Sequence, residues 1–237
     1  MKPKIIAIIP ARGGSKGLPR KNVRLLNNKP LIYYTIREAL GSKSLDRIIV
    51  STEDKEITEL AKAYGAEVIT RPAELAKDDT PILSVFQHAI QHLEEVEHYH
   101  PEVIVILQPT SPLRIAEDID GVIEKFLQTD CDSVVSVCEV ECPPQWMYTL
   151  KGDRLQPVIK EEKKTFRQQD VPEAYRLNGT VYVTHRDVIM KQNTVMGNDT
   201  RAYIMPLERS IDIDTETDFK LAEVLMRQME YRQTDQG

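Results

Sequence analysis

Short runs of apolar residues alternate along the first half of the chain with stretches whose apolar residues recur every three or four positions. The runs are rich in β-branched residues and predict strands at residues 4–9, 47–51, 67–69, 103–107 and 133–137. The periodic stretches predict helices at residues 30–40, 54–64, 81–97 and 115–128. Because strands and helices alternate, we expect an α/β fold with a mostly parallel central sheet and helices on both faces.

The alternation stops at residue 139. Residues 139–177 contain prolines and charges without a clear period, and this length is too great for a plain loop in a compact domain. We expect an excursion there, either a small extra sheet or a contact between subunits. The apolar pattern then returns in two strands and a final helix, at residues 180–184, 202–206 and 217–231. The chain is therefore predicted to form one domain, residues 1–237, with an insertion at about 139–180.

The composition limits the kind of partner. Hydrophobic residues make up 41% of the chain and charged residues 29%, and the formal net charge is -6. An acidic chain without a broad basic face is not expected to bind nucleic acid. No apolar run approaches the ~20 residues needed to span a bilayer, and the apolar start reads better as a buried strand than as a signal peptide. Three clustered cysteines are too few for a disulfide framework, so we expect a cytoplasmic protein.

The first predicted strand runs into a basic, glycine-rich loop, IIPARGGSKGLPRKN, at residues 8–22. Ligands of α/β sheets bind at the carboxyl ends of the strands, which is where this loop lies. Glycines let successive backbone N–H groups turn toward one anion, and the loop adds four cationic side chains, Arg12, Lys16, Arg20 and Lys21. The loop therefore predicts a site for a small anion, against the alternative of a solvated basic turn.

Three familiar motifs do not fit this loop. No window supplies the G-x-x-x-x-G-K-[ST] of the P-loop, and the glycines have the wrong spacing for the dinucleotide fingerprint. Residues 13–17 match the G-x-S-x-G of hydrolase nucleophile elbows, but that motif needs a helix directly after it. Pro19 prevents a clean helix start there, so a hydrolase is disfavoured.

The loop resembles the nucleotide loop of the acylneuraminate cytidylyltransferases, also called CMP-sialic acid synthetases. Later stretches resemble that family's other motifs, in the same order and at similar spacing: RPAEL at 71–75, QPTSPLR at 108–114, RQQDVPEAYRLNGTVYV at 167–183 and SIDIDTETD at 210–218. The resemblance covers residues 4–230, and the motifs together are far more specific than any one of them.

The resemblance implies an activity and an assembly. Enzymes of this family join CTP to a nine-carbon 2-keto sugar acid, a nonulosonic acid, whose anomeric hydroxyl attacks the α-phosphate and displaces pyrophosphate. Their fold is Rossmann-like, with an excursion that swaps into a dimer partner. A homodimer is thus expected, with no nucleic-acid or membrane partner. Metal-bound hydroxide, a water or a side chain could take the proton of the hydroxyl.

The resemblance also implies roles for particular residues. Seven of them should receive the nucleotide: Arg12, Gly13, Ser15, Lys16, Lys21, Asn22 and Arg71. Cations and backbone donors suit a triphosphate with roughly four negative charges. Five residues should carry catalysis: Arg12, Lys21, Gln108, Asp212 and Asp214. The alternatives are a solvated face for Lys16 and a surface ion pair for Arg71.

Asp212 and Asp214 stand two positions apart in a segment predicted to be extended, so their carboxylates should point to one side, roughly 6.5 Å apart. At an effective dielectric constant near 20 they would repel by about 2.5 kcal/mol. A Mg²⁺ ion carrying phosphate oxygens fits between them, because Mg²⁺ usually takes one or two carboxylates plus substrate phosphates. One or two ions remain possible, and Asp214 could instead cap the helix that follows.

The same resemblance places six residues around the sugar: Gln108, Arg167, Gln168, Arg176, Asn178 and Tyr182. Arg167 resembles the residue that binds the sugar carboxylate, and a bidentate arginine suits that group. For Ser111 and Arg114 the alternative is that they only shape the turn, which Pro109 and Pro112 stiffen. His88 and His92 are spaced i, i+4, but two histidines alone rarely form a metal site.

The chain departs from the sialic acid enzymes at one position. Where a lysine is expected shortly after the prolines at 143–144, this sequence has Trp146. An aromatic ring stacks on apolar groups and does not pair with a carboxylate, which favours a deoxy relative such as legionaminic or pseudaminic acid; packing at a dimer interface is the alternative. The rival functions are CMP-Kdo synthesis, with an eight-carbon acid, and a non-catalytic nucleotide-binding regulator. A regulator would need neither the aspartate pair nor Arg167.

Overall fold

The protein is described here by a computed structural model, which covers residues 2–15, 17–159 and 171–234. The strands of these ranges are β1 (Ile5–Pro10), β2 (Leu25–Leu26), β3 (Lys29–Pro30), β4 (Arg47–Thr52), β5 (Glu67–Thr70), β6 (Val103–Ile106), β7 (Ser133–Glu139), β8 (Tyr148–Lys151), β9 (Arg154–Pro157), β10 (Tyr175–His185) and β11 (Thr200–Ile204). The α-helices are α1 (Leu31–Gly41), α2 (Lys55–Ala63), α3 (Ile82–Glu95), α4 (Ala116–Gln128), α5 (Arg186–Lys191) and α6 (Glu216–Thr234).

A seven-stranded sheet in the order β11-β7-β10-β6-β1-β4-β5 forms the centre of the fold. The strand β1 pairs in parallel with β4 on one side and with β6 on the other. The chain therefore adds β4 and β5 on one side of β1 and then crosses over to add β6 on the other side. Such a reversal leaves a crevice at the carboxyl ends of the two strands, where ligands bind in α/β sheets.

Alternate residues of the central strands serve the two faces of the sheet. Ile5, Ala7 and Ile9 of β1 pack in one apolar cluster with residues of α1, α2 and α4. Ile6 and Ile8 pack in a second cluster with residues of α3 and α5. Because both faces are covered, β1 is apolar throughout rather than alternating, as the sequence pattern indicated.

The predicted order of helices and strands is confirmed over the first 139 residues, with ends shifted by only a few positions. Both ends of α2 show the local geometry that ends a helix. Asp54 caps α2 by accepting a hydrogen bond from the Ile57 N–H, and Gly65 adopts a φ of 91° just beyond the helix. The helix α5 and the short β2–β3 hairpin were not predicted, because six-residue and two-residue elements carry too little periodicity.

The strand β10 differs most from the sequence prediction. It begins at Tyr175 rather than residue 180, and it runs antiparallel to both β6 and β7. Its pairing with β7 is interrupted by an irregularity between Leu177 and Tyr182. Apolar content cannot reveal strand direction, since a buried antiparallel strand between two others has the same composition as a parallel one.

The predicted excursion contains a two-stranded hairpin, β8–β9, preceded by a 3₁₀ turn at Pro144–Trp146. All eight hairpin residues are exposed, and Leu150 and Leu155 are 71% and 64% exposed. A subunit contact at this excursion remains a prediction. None of the described helices combines the length and the apolar character needed to cross a bilayer.

Candidate active site

A cleft of about 420 Å³ opens at the carboxyl ends of β1, β5 and β6. Its walls are the loop after β1, the segment after Arg71, the segment Gln108–Thr110 and the carboxylates of Asp212 and Asp214. The cleft thus lies at the reversal of strand order beside β1. It brings together the glycine-rich loop and the aspartate pair, which are about 200 positions apart in the sequence.

The glycine-rich loop is held from two sides. The backbone N–H of Gly13 donates to Oε1 of Glu53 at 2.7 Å, and Nδ2 of Asn22 donates to the Arg12 carbonyl at 2.9 Å. A Cβ atom on Gly13 would lie 2.5 Å from Oδ2 of Asp54, so the position has no room for a side chain. Gly14 and Ser15 line the cleft beyond this anchored point. Lys16 lies outside the described residues.

Three of the cations that line the cleft each contact a carboxylate. Arg12 donates to Oδ1 of Asp78 at 2.6 Å, and Lys21 lies 3.0 Å from Oδ1 of Asp214. Arg71 donates from Nε to Oε2 of Glu53 at 2.9 Å. A carboxylate thus holds each of these three cations at the wall of the cleft.

Arg71 is the most buried of these cations, at 4% exposure. Its Nη2 is buried and has no hydrogen-bond partner among the described residues. Arg71 does form an ion pair, with Glu53, but its guanidinium is buried rather than at the surface. A buried guanidinium nitrogen without a partner at the wall of a cleft is a donor available to a ligand.

Asp212 is the electrostatically unusual member of the site. Its Oδ1 is buried without a hydrogen-bond partner in the described part of the chain. Burial raises the pKa of its carboxyl, and the negative charge of Asp214 raises it further, while the Thr110 hydroxyl and the charges of Lys21 and Arg176 act in the opposite direction. A partly desolvated carboxylate oxygen beside a second carboxylate is well suited to receive a cation.

Asp214 does not supply the cap of α6. Thr215 and Asp218 cap it reciprocally: the Thr215 hydroxyl accepts from the Asp218 N–H at 3.3 Å, and the Asp218 carboxylate accepts from the N–H groups of Thr215 and Asp214 at 2.7 and 3.1 Å. The Asp214 side chain is 74% exposed and contacts Lys21 at the cleft. The capping alternative is therefore wrong for this carboxylate, which stays available to the site.

Gln108 and Asp212 approach each other across Gly179. The φ of Gly179 is 70°, a left-handed conformation that favours glycine. A Cβ atom on Gly179 would lie 3.6 Å from both Nε2 of Gln108 and Oδ2 of Asp212. Gly179 falls within the irregular part of β10, so the irregular backbone brings an amide and a carboxylate to one place.

The remaining sugar-binding candidates have different positions. Tyr182 is partly buried, and burial followed by the nearby charge of Asp212 raises the pKa of its hydroxyl. Arg176 is exposed and donates to the Ser210 carbonyl at 3.3 Å. Arg167 and Gln168 lie outside the described residues.

Asn178 does not line the cleft. It is 1% exposed, accepts from the Ser136 hydroxyl at 2.6 Å and donates to the Ser210 hydroxyl at 2.9 Å. The structure corrects its assignment to the sugar pocket, because an amide satisfied inside the core has no group left for a ligand. Its role is to hold the backbone beside Gly179.

Sequence reasoning missed Glu53 and Asp78, the carboxylates that orient Arg71 and Arg12. Their positions in the sequence could have indicated them: Glu53 directly follows β4, and Asp78 follows the RPAEL stretch. Within the described residues, no group of three or more histidine, cysteine, aspartate or glutamate side chains could hold a metal ion. An ion at Asp212 and Asp214 would need oxygen ligands from a substrate or from water.

A profile of the family described as Cytidylyltransferase matches residues 6–234. A CMP-N,N'-diacetyllegionaminic acid synthase of Legionella pneumophila is 35% identical over 227 residues, which are 94% of this chain and 96% of that protein. An N-acylneuraminate cytidylyltransferase of Escherichia coli is 34% identical over 98% of this chain, which spans only 54% of that longer relative.

The fold has a counterpart among solved structures. A CMP:2-keto-3-deoxy-manno-octonic acid synthetase complexed with CTP superposes with a TM-score of 0.71 and 16% identity, over 95% of this chain and 99% of that one. At 16% identity, the structural similarity supports only a shared fold. The profile match and the relatives decide the family: the chain is a member of the cytidylyltransferase family, a nucleotidyltransferase of the type that the N-acylneuraminate cytidylyltransferases represent.

Proposed function

We propose that this enzyme transfers CMP from CTP to the anomeric hydroxyl of a nine-carbon 2-keto sugar acid. The hydroxyl oxygen forms a bond to the α-phosphorus and its proton passes to water or to a base of the site. The bond between the α-phosphorus and the oxygen that bridges it to the β-phosphorus breaks, and pyrophosphate leaves with that electron pair. The observation that carries the proposal is the cleft itself. It joins cations suited to a triphosphate with a half-buried aspartate suited to a metal ion, at one end of the sheet.

The nucleotide side is assigned to the glycine-rich loop and its neighbours. Arg12 and Lys21 bind phosphate oxygens, and the loop backbone from Gly13 to Ser15 adds N–H donors. Arg71 contributes its unpaired buried Nη2 deeper in the cleft. Asn22 acts through the Arg12 carbonyl that it holds and so keeps the loop in shape. Cations held in place by a folded loop cost little reorganisation when the anion arrives.

Asp212 and Asp214 are proposed to hold Mg²⁺ with the phosphates of CTP. This fit rests on two features of Asp212. Its Oδ1 has no hydrogen-bond partner among the described residues, and burial raises the pKa of its carboxyl. A cation would coordinate that oxygen and would stabilise the ionised carboxylate. When bound, Mg²⁺ would neutralise charge that develops on the α-phosphate and on pyrophosphate. Lys21 adds a fixed positive charge beside these carboxylates.

The sugar side is assigned to the opposite end of the Asp212 carboxylate. The Gln108 amide can donate to the sugar near the reacting hydroxyl. Tyr182 and Arg176 do not line the cleft, but both interact electrostatically with Asp212, and we propose them as further sugar contacts. Arg167, proposed to bind the sugar carboxylate, and Gln168 remain predictions from the resemblance. So do the homodimer, the cytoplasmic location and the dimerisation role of the excursion at about 139–180.

We further propose that the sugar is a deoxy relative of sialic acid, with legionaminic acid as the first candidate. Trp146 stands where a lysine would suit N-acetylneuraminic acid, and the similar Legionella protein is named for a legionaminic acid. An indole packs against methyl and ring surfaces, which a deoxy sugar offers in place of a hydroxyl.

The test is pyrophosphate release from CTP and Mg²⁺ with N-acetylneuraminic, legionaminic, pseudaminic and Kdo acids in parallel. We expect strong preference for one nine-carbon acid and loss of turnover in Asp212→Asn. Turnover with Kdo alone would replace the proposed substrate by an eight-carbon acid. CTP binding without turnover on any of the four would refute the sugar assignment and leave the nucleotide assignment standing.

A further inference from the structure

Arg114 is a buried cation that the proposed reaction does not use. It lies in the loop between β6 and α4 and is 1% exposed. Among the described residues it is the largest side chain that is fully buried. Taking a guanidinium out of water costs several kcal/mol unless its environment compensates. Because an apolar side chain would fill the same space without this cost, we expect the Arg114 charge to have a role in the structure around it.

The partners of Arg114 are neutral oxygens. Its guanidinium donates to the carbonyls of Gln108 and Thr180 and to Oγ1 of Thr35, the last at 2.8 Å. No carboxylate is among these partners, and Nε is buried with no partner in the described ranges. Burial lowers the pKa of Arg114 to about 9, which leaves it cationic at neutral pH. Stability alone would favour an apolar residue here.

The carbonyls that Arg114 binds belong to two separate strands. Gln108 follows β6, and Thr180 lies in β10 next to Gly179. Gln108 carries the amide itself, and Gly179, next to Thr180, lies beside both that amide and the Asp212 carboxylate. The carboxylates of Glu38, Asp118 and Asp212, in that order, act electrostatically on Arg114 and partly offset the effect of its burial.

We propose that Arg114 is a positioning residue for the sugar side of the reaction: by binding the carbonyls of Gln108 and Thr180, it sets the separation between the Gln108 amide and the Asp212 carboxylate. This inference rests on the proposed function. Arg114 does not line the cleft, whereas Gln108 does. Reacting groups displaced by about 1 Å can lose roughly 100-fold in rate, so such a residue affects turnover without binding a ligand.

The first variant is Arg114→Lys, which keeps the charge and loses the planar fork that reaches several acceptors at once. We expect kcat to fall by about 100-fold while the KM for CTP changes little. The matched control is Arg209→Lys. Arg209 is partly buried, whereas Arg114 is fully buried. It makes two hydrogen bonds to Asp118, at 2.8 and 2.9 Å, and it does not line the cleft. It should lose stability but keep kcat.

Chemical rescue separates positioning from folding. Arg114 also lines a second cavity of about 310 Å³, between α1 and α6, through which a small cation can reach the space left by Arg114→Ala. Guanidinium at millimolar concentration should restore kcat to Arg114→Ala, whereas urea, which is planar but neutral, should not. Neither additive should raise kcat in Arg209→Ala.

A readout without turnover keeps this inference distinct from the proposed function. The side-chain amide of Gln108 can be assigned by NMR as the signal lost in Gln108→Glu. Arg114→Lys should shift or broaden it, and Arg209→Lys should not. If the amide signal and kcat are unchanged while only the melting temperature falls, Arg114 is a structural residue and the proposal is wrong. If wild type turns over no sugar acid, the amide signal still decides the positioning role.

Discussion

Lys21 and Asp214, separated by 193 positions in the chain, lie with Nζ and Oδ1 3.0 Å apart at the cleft. The lysine side chain is 12% exposed and the aspartate side chain 74% exposed. The Ile213 carbonyl accepts a second hydrogen bond from Nζ at 2.5 Å. The neutral carbonyl therefore holds the lysine in place, while the exposed carboxylate remains free to turn toward a cation.

Lys21→Met is expected to lower kcat by about 100- to 1,000-fold, the range seen when one fixed donor to a developing negative charge is removed. The assay is steady-state pyrophosphate release. Lys62→Met removes the same charge from an exposed position on α2 and should leave kcat unchanged. Equal losses in the two variants would mean that Lys21 contributes only net charge.

Asp212→Asn should abolish most turnover and yet stabilise the ligand-free protein at neutral pH. A carboxyl whose pKa is raised by folding destabilises the folded state when it is ionised, so stability falls as pH rises through that pKa. The asparagine avoids this cost. Its gain in melting temperature should be a few degrees near neutral pH and should shrink as the pH falls toward the ordinary aspartate range.

The measurement is thermal unfolding of both proteins without metal across that pH range. Asp153→Asn, at an exposed position in the β8–β9 turn, is the control and should show no such trend. A lower melting temperature for Asp212→Asn at neutral pH would contradict the claim that this carboxylate is electrostatically costly.

Asp78→Asn should tighten CTP binding. The Asp78 carboxylate contacts Arg12 at 2.6 Å and thus competes with a phosphate for the same guanidinium. Exposed ion pairs contribute up to about 1 kcal/mol, so the dissociation constant should fall by up to about fivefold. Isothermal titration checks this, and the difference should narrow as ionic strength increases.

The neighbouring Asp79→Asn provides the control for Asp78. Asp79 is exposed and carries the same charge, but it does not line the cleft. Equal tightening in both variants would indicate a general effect of charge near the site, and unchanged binding in Asp78→Asn would refute the competition.

Glu53→Gln should destabilise the protein by about 1–3 kcal/mol, because it leaves the buried Arg71 guanidinium poorly compensated. It should also raise the KM for CTP, since Glu53 orients both Arg71 and the Gly13 N–H. Urea unfolding and CTP kinetics measure the two effects. Glu67→Gln, which weakens an exposed pair with Arg47, should cost less than about 1 kcal/mol and leave the KM unchanged.

The sequence by itself determined the order of elements and the chemistry available. Apolar periodicity is local, so β1 and α1 to α4 could be predicted from their own residues, and the glycines and cations of residues 8–22 indicated an anion site. The aspartate pair likewise indicated a metal site, because two carboxylates two positions apart repel unless a cation is near.

Only the tertiary structure decided how these parts meet. The antiparallel direction of β10, the burial of Arg114 and the contact between Lys21 and Asp214 depend on residues far apart in the chain. The same applies to Asn178, whose amide is satisfied by Ser136 and Ser210 in the core rather than by a ligand. Periodicity and motif spacing describe neighbours along the chain, whereas hydrogen bonds and burial are set by neighbours in space, which the packing of the whole sheet determines.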